Sequence, residues 1–269
     1  LFDINTNGPE NRLAINLFTG TTMNVLSSGS SNIGRKRKTN QDSIHLDAEK
    51  LFFVVADGMG GHLGGDVASK MAITHVSETF KGDHTGEIAV ELKQLIESGN
   101  DAIYQRSHSD PKLKGMGTTF VGVYFKGDKL FIVNIGDSRA YLIKDQKIFQ
   151  ITKDHSLVQE KINFRICSRE EARLDPMKNV LSRTVGYSPD VVPDFFRFDH
   201  SPGDILLLCS DGLHSMVSDE DVLFLVNREL PSPLQASQAQ VDKTVNALIE
   251  QANANGGQDN VSVILAVVQ

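Results

Sequence analysis

The chain has only two cysteines, Cys167 and Cys209, in 269 residues. Two thiols make no disulfide framework, and a chain of this length buries enough surface to stand without one. That usage suits a reducing compartment and sets the expectation of a cytoplasmic protein. Long apolar runs are also missing. The longest, residues 51–56, 205–209 and 263–268, fall far short of the roughly 20 residues of a membrane span. No basic segment followed by an apolar stretch occurs in residues 1–22, so no secretory signal is read there. Basic residues are in deficit, 27 against 34 acidic ones, for a formal net charge of −7. That balance argues against a dedicated nucleic-acid surface and against an anionic membrane as partner. Neither a fixed-period repeat nor a low-complexity tract occurs.

Hydrophobic residues make up 40 % of the chain, with 22 glycines besides, which excludes whole-chain disorder. Residues 1–30 are rich in Asn, Thr, Ser and Gly, and read as a loosely ordered leader with one edge strand at most. A single domain is expected over 31–269. Three segments carry the 3.6-residue apolar period of helices. Their faces are Val67, Ala68, Met71, Ala72, Val76 and Phe80; then Ile88, Leu92, Leu95, Ile96, Ala102 and Ile103; then Val241, Val245, Leu248, Ile249 and Ala252. Ser218 followed by Asp221 predicts the start of a shorter helix through a capping box. Residues 51–56 and 205–209 are continuous apolar runs, as in strands buried on both faces. Residues 118–125 and 130–134 flank one turn, and 141–143 and 148–151 another, which predicts a meander of hairpins. Residues 261–268 close the chain as a strand. Hairpins favour antiparallel sheet and amphipathic helices must cover it, so the class is α+β.

Several strands end on aspartate. The run 51–56 leads into Asp57-Gly58 and the run 205–209 into Ser210-Asp211-Gly212. Asp137 follows residues 131–135, Asp259 precedes the last strand, and Asp42 precedes residues 43–46. Each Asp-Gly alone is more often a turn than a site. Five together at strand ends are another matter, because strands have only two ends on which to gather them. Close carboxylates repel unless a proton or a metal intervenes. An all-carboxylate set without Cys is hard-ligand chemistry, suited to Mg²⁺ or Mn²⁺ rather than Zn²⁺.

The series Arg37-x-x-Asn40-Gln41-Asp42, Asp57-Gly58-Met59-Gly60-Gly61-His62, Gly117-Thr118-Thr119, Gly136-Asp137-Ser138-Arg139, residues 181–186, Ser210-Asp211-Gly212 and Asp259-Asn260 resembles the metal-dependent protein phosphatases of type 2C. The Asp-Gly-Met-Gly-Gly-His form is similar to their bacterial branch. Each motif alone is weak; in this order they cover about residues 31–269. The resemblance implies a four-layer αββα sandwich, a central antiparallel β-sandwich flanked by helices, with a two-metal site at one end. It implies that Asp57 bridges two Mn²⁺ or Mg²⁺ ions, that the Gly58 carbonyl binds the second, and that Asp211 and Asp259 hold the first. Asp137, with Asp211, matches a third, weaker ion. Asp42 acts through water at the metals, and Arg37 binds the substrate phosphate. His62 is a candidate general acid. The activity implied is hydrolysis of phosphoserine or phosphothreonine in proteins by a metal-activated bridging water. Phosphoproteins, among them a serine/threonine kinase and its targets, are then the partners of a monomeric enzyme in signal transduction. Residues 156–180 resemble the mobile flap of bacterial members.

Gln41 stands where many relatives have Glu. Two alternatives stay open: a phosphoprotein-binding pseudophosphatase, against which the complete Asp57, Asp137, Asp211 and Asp259 set speaks, and a hydrolase of small phosphate esters. The Cys167 and Arg173 pair has the spacing of cysteine-dependent phosphatases, but Ser168-Arg169-Glu170-Glu171-Ala172 between them has no glycine and two carboxylates, the wrong cradle for phosphate. The run Arg35-Lys36-Arg37-Lys38 reads as solvated surface with one member placed for phosphate.

Overall fold

The computed structural model of the chain describes residues 24–82 and 87–269. In chain order the strands and helices begin with β1 (Val25–Asn32), β2 (Asp42–Asp47), β3 (Phe52–Met59), α1 (Gly61–Thr79) and α2 (Ile88–Ser109). There follow β4 (Gly117–Thr118), β5 (Phe120–Lys126), β6 (Lys129–Ile135), β7 (Arg139–Lys144) and β8 (Lys147–Gln150). Next come α3 (Leu157–Asn163), α4 (Arg169–Leu174), β9 (Asp194–Asp199) and β10 (Ile205–Cys209). The chain closes with α5 (Asp211–His214), α6 (Asp219–Glu229), α7 (Gln238–Ala254) and β11 (Val261–Val268).

Two antiparallel sheets result, one ordered β1-β11-β10-β7-β8 and the other β2-β3-β5-β6-β9, with β4 paired to the end of β3. The apolar runs are continuous because both faces of their strands are covered. In β3, Phe53 and Val55 point into the space between the sheets, while Phe52, Val54 and Ala56 meet α1 and α2. In β10, Leu206 and Leu208 point inward, while Ile205, Leu207 and Cys209 meet α6 and α7. Three apolar layers therefore lie between four layers of structure, and the expected αββα sandwich is what the chain forms.

The differences from expectation have physical causes. The two hairpins β5–β6 and β7–β8 are as read, but they do not form one meander. The chain leaves the second sheet at Ile135 and enters the first at Arg139. Gly136, at φ +99°, makes that crossing, and a Cβ there would stand 2.6 Å from the Thr119 side chain. The first sheet also starts earlier than read. Val25 to Asn32 pair with β11 along their whole length, so residues 25–30 belong to the domain and supply its edge strand. The remainder of the expected leader, residues 1–23, lies outside the described residues. Asp57 does not follow its strand but lies within it, since β3 runs on to Met59. Asp211 opens the short helix α5. At α6, Ser218 caps as expected, yet Asp221 reaches the Ser218 hydroxyl (2.9 Å) rather than its backbone N–H. Aspartate is one methylene shorter than the glutamate of a full capping box. Ser168 and Glu171 do form the full box on α4.

Asn100, buried on α2, ties that helix to the chain beyond residue 185. Its amide donates to the carbonyls of Ser188 and Pro189 at 3.0 Å each, and its carbonyl accepts from Gly186 N–H at 2.7 Å. Asn100→Ala would strand the buried Gly186 N–H, at about 1–3 kcal/mol, while the carbonyls of the exposed Ser188 and Pro189 can turn to water. Urea unfolding should show a loss of about 1–3 kcal/mol; a change within 0.5 kcal/mol of wild type would contradict the assigned role.

Candidate active site

The strand register by itself gathers the aspartates. Asp42 opens β2 directly opposite Asp57 in β3, and cross-strand partners share a face. Asp57 has the parity of Phe53 and Val55, so both carboxylates lie on the inner face of their sheet, at its rim. In the other sheet Cys209 stands opposite both Val263 and Arg139. The end of β10 and the starts of β11 and β7 therefore lie at one edge, which brings Asp211, Asp259 and Asp137 together. The crossing from β6 to β7 through Gly136 puts the two rims at the same end of the sandwich.

Ordinary polar groups fix each carboxylate. The Asp42 carboxylate accepts from the hydroxyls of Ser210 and Ser262, both at 2.7 Å, so two residues of one sheet hold an acid of the other. Asp57 is fixed through its backbone. Its N–H donates to Thr119 Oγ1 (2.9 Å), and its carbonyl accepts from the Thr119 N–H (2.8 Å) and the Thr118 hydroxyl (2.9 Å). Gly58 packs so closely on α1 that a Cβ would stand 1.9 Å from the Gly65 carbonyl. The Asp137 carbonyl accepts from His214 Nε2–H at 3.0 Å. Burial holds His214 neutral, its pKa pushed down to about 3. The preceding Gly136 is gripped on both sides: its N–H donates to His155 Nδ1 (3.2 Å) and its carbonyl accepts from His155 N–H (2.9 Å). With Nδ1 accepting, Nε2 carries the proton and donates to Asp194 at 3.1 Å.

Arg37 sits on the loop between β1 and β2, above this rim. Asn260 secures that loop by accepting from Gln41 N–H (2.8 Å) and donating to the carbonyls of Ile33 (2.9 Å) and Thr39 (3.0 Å). The Arg37 guanidinium, half exposed, is paired with the Asp259 carboxylate, and that bond raises its pKa further. Asp259 also accepts from Asn260 N–H at 2.8 Å.

Crowding shows in the acidities. Burial pushes the Asp42 carboxyl up to about 6, against the pull of the Ser262 and Ser210 hydroxyls. Burial, then Asp154, pushes Asp137 up to about 7. Asp57 and Asp211 are driven well above the carboxylate range by burial first and then by their acidic neighbours. Asp42 Oδ1 and Asp211 Oδ1 are buried without any partner. Among the described residues no group of three or more His, Cys, Asp or Glu side chains stands ready-made to hold a metal ion. The donor set nonetheless fits hard divalent cations. It is all oxygen and too crowded with buried carboxyls to ionise fully without compensating charge, and it leaves two buried oxygens unspent.

Of the expected site residues, Asp42, Asp57, Asp137, Asp211 and Asp259 come together with Arg37 beside them, and Gly58 follows Asp57. His62 falls in the first turn of α1, and its side chain lies outside the described residues. Cys167, on the connection from α3 to α4, is a free thiol that does not line the cleft beside Asp137 and Asp211. Ser210, Ser262, Thr119, His155 and His214 drew no site assignment from the sequence. For Ser210 a signal was present, a hydroxyl between a buried strand and an acid. Among the described residues no helix is long and apolar enough to cross a membrane.

The model for the Protein phosphatase 2C family matches residues 28–251. The serine/threonine protein phosphatase PstP of Mycobacterium tuberculosis is 37 % identical over 238 residues, 88 % of this chain but 44 % of its own length, so the chain spans less than half of that relative. The serine/threonine phosphatase stp of Listeria monocytogenes is 36 % identical over 239 residues, covering 86 % of this chain and 91 % of its own. A solved structure of the PstP catalytic domain in complex with two manganese ions superimposes with a TM-score of 0.81 at 35 % identity, covering 92 % of this chain and 99 % of that one.

The raised carboxyls have a consequence for the metal-free protein. Between about pH 4 and 7 they hold protons that the unfolded chain, with ordinary carboxyls near 3.9, has already lost. Folded stability in chelator should therefore be greatest at low pH and fall as pH rises through 6 and 7. Urea titrations from pH 5 to 8 should show that decline, and Asp42→Asn should flatten it. Equal slopes for the two proteins would contradict the assignment.

Proposed function

This chain belongs to the protein phosphatase 2C family, and we propose that it hydrolyses phosphoserine and phosphothreonine in proteins with the help of Mn²⁺ or Mg²⁺. One observation carries the reading: the two sheets bring five aspartates to one rim, where they cannot all ionise without cations. Asp57, the most central, would bridge two ions, with the Gly58 carbonyl on the second and Asp211 and Asp259 on the first. Asp137 and Asp211 would hold a third, weaker one. Ions held there supply Lewis acidity to the phosphoryl oxygens and make a water acidic enough to attack phosphorus near neutral pH.

The remaining roles belong to the chain itself. Asp42, steadied by Ser210 and Ser262, is placed to accept the proton that the attacking water releases. Arg37 can grip two phosphate oxygens at once, in a geometry that lysine cannot copy. To do so it must exchange Asp259 for the phosphate, and an ion on Asp259 would weaken that pair. His62 is a candidate to protonate the leaving oxygen. The substrates would be phosphoproteins, a serine/threonine kinase and its targets among them, met by a monomer in the cytoplasm.

Asp211→Asn should abolish turnover of a phosphothreonine peptide while leaving the fold intact, and Asp57→Asn should be at least as severe. Cys167→Ser is the matched control and should keep near-full activity; a dead Cys167→Ser beside an active Asp211→Asn would replace this mechanism with a cysteine one. A hydrogen bond to a charged group contributes about 1.5–3 kcal/mol. Arg37→Ala and Arg37→Lys should therefore both lose roughly 10- to 150-fold in kcat/KM, while Lys36→Ala and Lys38→Ala stay close to wild type. Equal losses along the run would show a diffuse charged patch instead.

A further inference from the structure

A cleft of about 970 Å³ opens beside the carboxylates and extends well past them. One end is lined by Asp137 and Asp211. Its lining also takes in Val158 and Ile162 of α3, in the 156–180 segment, and Ile148 and Phe149 of β8 in the first sheet. A phosphoseryl side chain fills a small part of that space. Asp137 and Asp211 belong to its lining, so a chain attached to what reacts at the site can lie along it.

The β8 wall has an informative geometry. Successive side chains of a strand point to opposite faces. Ile148, Phe149 and Gln150 all line the cleft, so the cleft meets β8 along its edge rather than on a face. That edge is open: β8 ends its sheet and, among the described residues, pairs only with β7. Its outward N–H and C=O groups form a template for an added strand. Gln159, Asn163 and Asn179 also line the cleft; Gln159 donates to Asn163 Oδ1 at 3.0 Å, and the remaining amide groups suit a peptide backbone. Apolar surface accompanies them. Phe149 is 47 % exposed, Val158 and Ile162 are half-buried, and α3 has no buried residue at all. Val158, Ile162 and Ala172 from the 156–180 segment thus share one cleft with Ile148 and the exposed Phe149 ring.

We propose that this cleft is the groove for the polypeptide that carries the phosphoresidue. An extended segment of the substrate adds to the free edge of β8, and one large apolar side chain of that segment seats among Ile148, Val158 and Ile162. Thr152 and Asp154 continue the same wall toward Asp137. From Ile148 to Asp154 is six residues, or at most about 20 Å of extended chain, so the apolar residue lies within about six positions of the phosphoresidue. The proposal rests on the phosphoprotein reading above and adds to it a recognition element outside the metal site.

The test uses phosphothreonine peptides in an alanine-rich background, with leucine moved one position at a time on both sides. Turnover of p-nitrophenyl phosphate measures chemistry and folding in parallel. One or two leucine positions within six residues should raise kcat/KM about tenfold, the order that burial of one aliphatic side chain gives. Val158→Glu and Ile162→Glu should each cancel that preference and change p-nitrophenyl phosphate turnover less than twofold. N-methylation of alternate amides in the preferred segment should lower kcat/KM by a similar factor. A flat leucine scan on well-hydrolysed peptides overturns the groove and leaves the phosphatase reading standing. Variants that lose aryl phosphate and peptide turnover equally overturn it too, by placing their effect on the chemistry. Aryl phosphate turnover with no peptide turnover removes the phosphoprotein reading itself.

Discussion

Repulsion among buried carboxylates is the constraint on which the rest of this molecule depends. Asp57 lies within reach of Asp42, Asp137, Asp211 and Asp259, and a folded chain does not bring five acids to one rim without fixing each of them firmly. The fixing groups are spread over the whole fold. Serines of one sheet hold Asp42 of the other, so the sandwich cannot slide without breaking a buried charge-assisted bond. Two neutral histidines clamp the crossing from β6 to β7 and so aim Asp137. Asn260 pins the loop that carries Arg37. The layers of apolar side chains contribute most of the stability, and these polar ties decide which end of the sandwich has a chemistry.

Arg37 and the cleft extend the same logic outward. The guanidinium answers the acidic rim by pairing with Asp259, the charge it can reach from the loop above. Under the proposed function, a phosphate held over divalent ions would offer it a second partner, and the arginine would then exchange Asp259 for the substrate. On the other flank the cleft leaves the acidic rim and becomes amide-lined, then aliphatic, between β8 and α3. Amide and apolar side chains share that lining with Lys153, Lys178 and Asp219, so the surface that would meet the rest of a protein substrate can bind backbone and apolar side chains as well as charge.

Much of this was legible in the residues. The β10 and β11 runs match their strands end for end, and β3 is missed only at its ends, because strands covered on both faces write unbroken apolar runs. The three long helices follow from their apolar period, and the five aspartates from their places at strand ends. What was not legible depended on which sheet a strand joins. Gly136-Asp137-Ser138 reads as a hairpin turn, and nothing local says that the chain changes sheets there. β9 lies at an edge and is largely exposed, with charged residues among its phenylalanines, so its pattern is too weak to see. The Ser237 and Gln240 capping box on α7 had a readable signature that was passed over. Ser210, Ser262, Thr119 and the two histidines matter through partners tens to hundreds of residues away, and sequence spacing carries no trace of such pairs.

The central claim is that the rim works only when cations compensate its crowded carboxylates. It is tested most directly by counting bound Mn²⁺ per chain at equilibrium while measuring phosphopeptide turnover in the same samples, across a titration from metal-free protein. The account predicts no turnover without metal, and turnover that rises as a second ion binds and plateaus at two or more per chain. In Asp57→Asn the second ion should fail to bind tightly and activity should fail with it. Turnover at full rate in protein shown to be metal-free would contradict the account.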